Sequence, residues 1–326
     1  MKVQRRQFLR LTAGAAALPA VSRIARAQTY PSRAITMIVP FPAGGPTDVV
    51  ARVVVERMKA PLGQPVIIEN LGGADGSIGV GRAARAPPDG YTIDLGLMDT
   101  HVLNGAFYSL QYDVLHDFEP ISPLVTSTRV LFARKTMPAK NLGELITWLK
   151  ANPNKASAAV VTSGLHLLTA FFQKETGTQF TLVPYRGGAP AMQDLVSGQI
   201  DLFFRAADGL ALMRAGSIKP YAVTSDTRLS LAPDVPTFAE MGLSALSHSV
   251  WFGLFAPKGT PKDIIGKLNA AAVEALVHPE VRFRFAELGF EVFPRERQIP
   301  EVLGALVKAD AEKWWPIIKE FGIKGG

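Results

Sequence analysis

The sequence predicts an α/β fold built as two doubly wound lobes, and three observations predict it. Short apolar runs alternate with amphipathic helical stretches, the signature of parallel sheets covered by helices. The alternation runs to Met98, lapses, and starts again at Val130. A chain of 326 residues also exceeds what a single hydrophobic core usually organises, so two domains are expected.

The elements follow in order. Ile35–Pro40 is a strand, ended by the loop Phe41-Pro42-Ala43-Gly44-Gly45-Pro46. Thr47–Leu62 is a helix, because Val49, Val50, Val53, Val54 and Met58 fall near helical spacing and Gly63 stops it. Val66–Asn70 is a strand. Gly72-Gly73-Ala74-Asp75-Gly76 is a flexible turn, Ile78–Ala86 a short helix and Tyr91–Met98 a third strand. After the restart the strands are Val130–Ala133, Ala158–Val161, Thr181–Pro184, Ile200–Phe204, Tyr221–Thr224 and the apolar run Trp251–Ala256. The helices are Leu142–Ala151, His166–Gly177, Ala189–Gly198, Lys262–Val277 and Ile299–Phe321. The chain is expected to cross between lobes near Pro120–Val130 and Ser249–Phe255. That places residues 28–125 and 252–326 in one lobe and 126–251 in the other.

Residues 1–27 read as a secretory signal peptide. Lys2, Arg5, Arg6 and Arg10 precede a short apolar stretch, Leu11–Val21, which closes on Ala25-Arg26-Ala27. Arg5-Arg6-Gln7-Phe8-Leu9-Arg10 resembles the twin-arginine motif, with Gln4 where Ser or Thr is usual. Cleavage before Gln28 implies export to the periplasm. It also removes six of the 35 basic residues and no acid, leaving 29 basic against 28 acidic residues. The apparent basicity therefore gives no support for a nucleic-acid partner. The chain has no cysteine, which excludes disulfides and thiolate chemistry.

Two helix starts are candidate binding loops. At Phe41–Asp48, Gly44 and Gly45 let the backbone turn close to a ligand, and Pro46 and Thr47 start a helix whose unpaired N–H groups suit an anion. Asp48 either stabilises the helix start or accepts a donor from a ligand. At Thr162-Ser163-Gly164, hydroxyls and N–H groups again suit a carboxylate, while plain N-capping by Ser163 explains the same residues. Gly79–Ala84 matches G-x-G-x-x-A, but its strand ends nine residues earlier, which is wrong for a dinucleotide fold. No G-x-S-x-G elbow or metal-spaced histidine pair occurs. No enzyme activity and no cofactor are therefore expected. Trp314-Trp315, Leu212 and Met213 read as packing residues.

Many ordered segments together resemble one family, the solute-binding proteins of tripartite tricarboxylate transporters (the Bug family). They include Tyr30-Pro31, Val39–Gly45 with Asp48, Ala51 and Arg52, Leu62–Val66 with Glu69-Asn70, and Gly76, Ile78 and Gly79. Pro88–Thr92, Tyr112-Asp113, Asp117-Phe118, Val183–Gly187, Asp194-Leu195 and Gly198–Asp201 follow. Pro233–Thr237, Glu240, Gly242 and Ala256–Pro261 complete the set. The resemblance implies a type II periplasmic binding fold with a small organic acid in the interdomain cleft. One carboxylate would sit at Phe41, Pro42, Ala43, Gly44, Gly45, Thr47 and Asp48, a second at Thr162, Ser163 and Gly164. Thr100, His101, Arg205 and Asp208, near strand ends, join the expected binding set. The implied partners are two integral-membrane subunits; the implied receptor is a monomer, and a ligand-sensing input protein is the alternative role. Val160 and Thr162 stand where the family has glycines. Arg205 stands where it more often has an acid or amide, either to pair with a carboxylate or to point to solvent. A dicarboxylate is the expected ligand.

Overall fold

The computed structural model describes residues 30–322, so the signal-peptide reading lies outside the described residues. Ile35–Val39 (β1), Val66–Asn70 (β2) and Thr92–Leu97 (β3) pair in parallel, as consecutive apolar runs joined by helices must. Pro46–Leu62 (α1) makes the first connection. Proline at its first turn costs no hydrogen bond, and Gly63 ends it in the left-handed region at φ 66. Ser77–Ala84 (α2) makes the second connection. After β3, a π-type turn at Asp99–Leu103 runs into the short helix Asn104–Phe107 (α3).

The same sheet is completed by Phe118–Ser127 (β4), Val250–Pro257 (β10) and Phe290–Val292 (β11), in the order β11–β4–β10–β3–β1–β2. Most of the expected crossover Pro120–Val130 is strand: Phe118–Ser127 is ten residues long and flanked on both sides, and the passage itself falls at its far end, at Thr128. Pro120 and Pro123 argue against an interior strand because each lacks a ladder N–H. The structure accommodates them at register shifts, where Pro123 faces Gly253 and Pro120 faces Phe255. Lys262–Val277 (α8), Pro279–Glu287 (α9) and Pro300–Phe321 (α10) cover this sheet.

The second sheet holds Arg129–Arg134 (β5), Ser157–Val160 (β6), Thr181–Pro184 (β7), Leu202–Ala206 (β8) and Ile218–Val223 (β9), in the order β7–β6–β8–β5–β9. β6, β7 and β8 are parallel, and β5 is antiparallel to both its neighbours. Leu142–Ala151 (α4), Ser163–Thr176 (α5), Gly188–Ser197 (α6) and Leu210–Arg214 (α7) connect these strands. Alternation along β8 divides its two faces: Phe204 meets Phe172 of α5, while Phe203 packs in the cluster that holds Ala191 and Leu195 of α6.

The chain passes from the first sheet to the second at Thr128 and returns before Val250. Thr224 fastens the two passages together. Its Oγ1 accepts from the Arg129 N–H at 3.0 Å, and its carbonyl accepts from the His248 N–H at 2.8 Å. Trp314 of α10 packs edge-on to Phe171 of α5 at 6.0 Å, so the two lobes share apolar contacts behind the cleft. Among the described residues no helix is long and apolar enough to cross a membrane.

Candidate ligand-binding site

The first jaw is the loop between β1 and α1. Gly44 adopts φ 80, a backbone glycine tolerates best, and its N–H donates to Asp48 Oδ2 at 2.8 Å. Arg52, one helical turn on, donates to the same oxygen at 2.7 Å. Asn70, at the end of β2, donates to Asp48 Oδ1 at 3.0 Å and to the Phe41 carbonyl at 3.1 Å. Burial pushes the Asp48 carboxyl up, but the bonds from Arg52, Gly44 and Asn70 outweigh it and hold the group below the ordinary carboxylate range. Asp48 is 1% exposed. This corrects its place in the expected contact set: Asp48 shapes the loop and does not face outward. Pro42, Ala43 and Gly44 are exposed, Phe41 and Gly45 half-buried, and Thr47 buried at the helix start.

The second jaw is the start of α5. Thr162, not Ser163, caps the helix, its Oγ1 accepting from the Leu165 N–H at 3.2 Å. Ser163 is the first helical residue, and its N–H points across the cleft. There it donates to Asp75 Oδ2 of the first lobe at 2.7 Å. Ser163 Oγ shares a 3.0 Å hydrogen bond with the Tyr108 hydroxyl. Gly164 presses against Asp99, and a Cβ on it would stand 2.5 Å from Asp99 Oδ1. Sequence reasoning passed over Asp75 as part of a flexible turn. The signal was present, an acid in the middle of a glycine-rich loop, but nothing local says which helix it faces.

The other expected residues are scattered. His101 is fully buried in the first lobe, stacked on Phe255 with ring centres 4.1 Å apart. Its Nε2 lies 3.2 Å from Asp94, an acid that burial pushes up despite the neighbouring imidazole. Thr100 is also fully buried, with its Oγ1 bonded to the Leu97 backbone. Both are corrected to supporting positions inside the lobe. A side chain at a strand end is as readily turned into the core as toward the cleft. Arg205 follows Phe204 on β8, close to Gly188 at the start of α6 and 6.0 Å from the Phe203 ring. It shares the α6 face, opposite the face that meets α5, so the structure does not bring it beside Ser163. Asp208 lies in the short turn Ala207–Gly209.

Behind the jaws the lobes are in contact. Asp99, Arg129, Gly164, Leu168, His248 and Trp314 surround a cavity of about 10 Å³, room for one water at most. Burial, reinforced by Asp75 and opposed by Arg129, pushes Asp99 up to about 6. Burial pushes His248 down to about 4, against a bond to the Leu246 carbonyl. The two groups have opposite linkage. Folded Asp99 takes its proton near pH 6 and the unfolded carboxyl only near 3.9, so its contribution is full below about pH 4 and lost as pH rises through 6. His248 must stay neutral while the unfolded imidazole protonates near 6.5, so its contribution is present above that and lost as pH falls through 4. Each is on the order of 3 kcal/mol, and they offset one another in the wild type. Relative to wild type, the melting temperature of Asp99→Asn should fall between pH 6.5 and 4.5, and that of His248→Gln should rise. Parallel curves for all three proteins would contradict this assignment.

Residues 50–323 match the family described as the tripartite tricarboxylate transporter family receptor. Protein BugT of Bordetella pertussis is 36% identical over 303 residues, covering 91% of this chain and 92% of BugT. MatC from Rhodopseudomonas palustris, solved with bound malate, is 36% identical with a TM-score of 0.81, covering 89% of this chain and all of that one. An R. palustris protein solved with adipate is 32% identical with a TM-score of 0.82, covering 90% of this chain and 99% of that one. Receptors of this family bind solutes rather than transform them. The chain belongs to the tripartite tricarboxylate transporter receptor family, the group that includes the Bug proteins.

Proposed function

We propose that this protein captures a small dicarboxylate between its lobes in the periplasm and delivers it to two integral-membrane subunits of a tripartite tricarboxylate-type transporter. The observation that carries this reading is the carboxylate already seated on the α5 start, 2.7 Å from the Ser163 N–H. The second jaw accepts the group that the ligand is proposed to bring. The first jaw offers a preformed glycine loop at the opposite helix start, held by Asp48 and Asn70. The relatives solved with malate and adipate support an acid with two carboxylates. Lobe closure about the two passages joined at Thr224 would enclose it.

A thermal-shift screen of residues 28–326 against mono-, di- and tricarboxylates tests the proposal. A ligand at about 100 times its dissociation constant adds about 2.7 kcal/mol of stability, a shift of several degrees. At least one dicarboxylate is expected to produce it. No shift with any acid would overturn the carboxylate reading.

A further inference from the structure

Asp75 stands where a ligand carboxylate is proposed to stand, and the loop that carries it is built to hold it there. Gly73, Ala74, Asp75 and Gly76 all have positive φ, at 126°, 46°, 53° and 90°. Two non-glycine residues in that region persist only where the surroundings over-determine them. Here Asn104, fully buried, donates its side-chain amide to the Asp75 carbonyl at 2.9 Å and to Ser77 Oγ at 3.2 Å. The Gly76 N–H closes the turn on the Gly73 carbonyl at 3.0 Å. A Cβ on Gly76 would meet Thr100 at 2.7 Å and the Pro40 carbonyl at 3.2 Å, so the turn also lies tight on its own lobe. The result is a carboxylate fixed from the first lobe onto the helix start of the second.

We infer that Asp75 is an internal competitor for the second carboxylate seat, and so a specificity-determining residue of the cleft. This rests on the carboxylate reading above and deepens it. One helix start cannot hold two carboxylates at hydrogen-bond distance, because they repel and share the same donors. A dicarboxylate must displace Asp75 from Ser163. An acid with one carboxylate fills only the first jaw and leaves Asp75 in place. The same side chain thus handicaps dicarboxylates against matched monocarboxylates and holds the lobes together when the seat has no other occupant.

Isothermal titration with two matched pairs, malate against 3-hydroxybutyrate and adipate against hexanoate, tests this in the wild type, Asp75→Gly and Asp75→Asn. Glycine suits positive φ and removes the competitor; asparagine tolerates the same backbone and keeps a weaker, neutral acceptor. For the pair that the wild type binds, the dicarboxylate is expected to tighten at least tenfold in Asp75→Gly and by an intermediate factor in Asp75→Asn. The monocarboxylate should change less than threefold. Equal tightening of both acids would mean a general charge effect and would overturn the inference. Weaker dicarboxylate binding would overturn it too, showing Asp75 to be a closing contact alone. If acids bind but their ratio does not move, only this inference fails. If no acid binds any of the three proteins, the proposed function itself fails.

Discussion

Asp48→Ala should lower the melting temperature by about 5 °C or more and weaken binding of any carboxylate ligand at least tenfold. The carboxylate accepts from Gly44, Arg52 and Asn70 at 2.7 to 3.0 Å. Removing it leaves the Gly44 N–H and one Asn70 contact without their acceptor in a part-buried setting. Charge-assisted bonds of this kind contribute roughly 1.5–3 kcal/mol each, and the Arg52 bond counts for less because its partner side chain is mostly exposed. A loss of roughly 3 kcal/mol is therefore expected, and for a chain of this size each 1 kcal/mol lowers the melting temperature by about 2–4 °C. The binding loss has a different origin. Without Asp48 the glycine loop keeps only its bond from Asn70 to the Phe41 carbonyl and the turn from Gly45 to Pro42, so a ligand must order more of it on binding. The pH dependence carries a sign. Because the folded carboxyl is held below its ordinary value, its contribution is present above about pH 4 and lost as pH falls through the lowered value. Calorimetric melting at neutral and acid pH, with titration of the ligand found in the screen, checks both parts. An unchanged melting temperature would show that Asp48 does not hold the loop.

Gly164→Ala should leave the lobes folded but weaken ligand binding about 100-fold. Alanine is a better helix residue than glycine, so α5 itself loses nothing. The obstacle is across the cleft. The added Cβ would stand 2.5 Å from Asp99 Oδ1 and 2.9 Å from its Cγ, and both residues are closed in by neighbours around the small cavity. Either Asp99 moves or the lobes stop short of contact. A hundredfold loss corresponds to about 2.8 kcal/mol, within the range typical of overpacking. Small-angle scattering should show the variant more extended than the wild type, both alone and with ligand. Asp99→Ala in the same chain removes the obstructing carboxylate and should restore most of the affinity, a coupling that a double-mutant cycle reads directly. Wild-type affinity in the single variant would show that the two residues need not approach.

Much of the fold is legible in the residues. β2, β7, α4 and α8 have the bounds their apolar spacing and stop signals predict. α5 starts one turn earlier than its apolar pattern, because Thr162 rather than Ser163 supplies the cap. β4 is hidden by Pro120 and Pro123, whose missing donors matter only once the facing register is known. The first jaw is legible as a loop, but Asp48 could be read either as a ligand group or as a helix-start acid. Asn70, 22 residues away, decides the matter.

The sequence by itself determined most of the strands and helices, the two-lobe α/β class and the two loops at helix starts, because these depend on local spacing and backbone chemistry. Only the tertiary structure decided how the candidate groups are used. His101 and Thr100 turn into the first lobe, and Arg205 shares the α6 face of β8. Asp75, 88 residues from Ser163, reaches the start of α5. Contact between such distant residues depends on how two separate lobes meet, which no local pattern records.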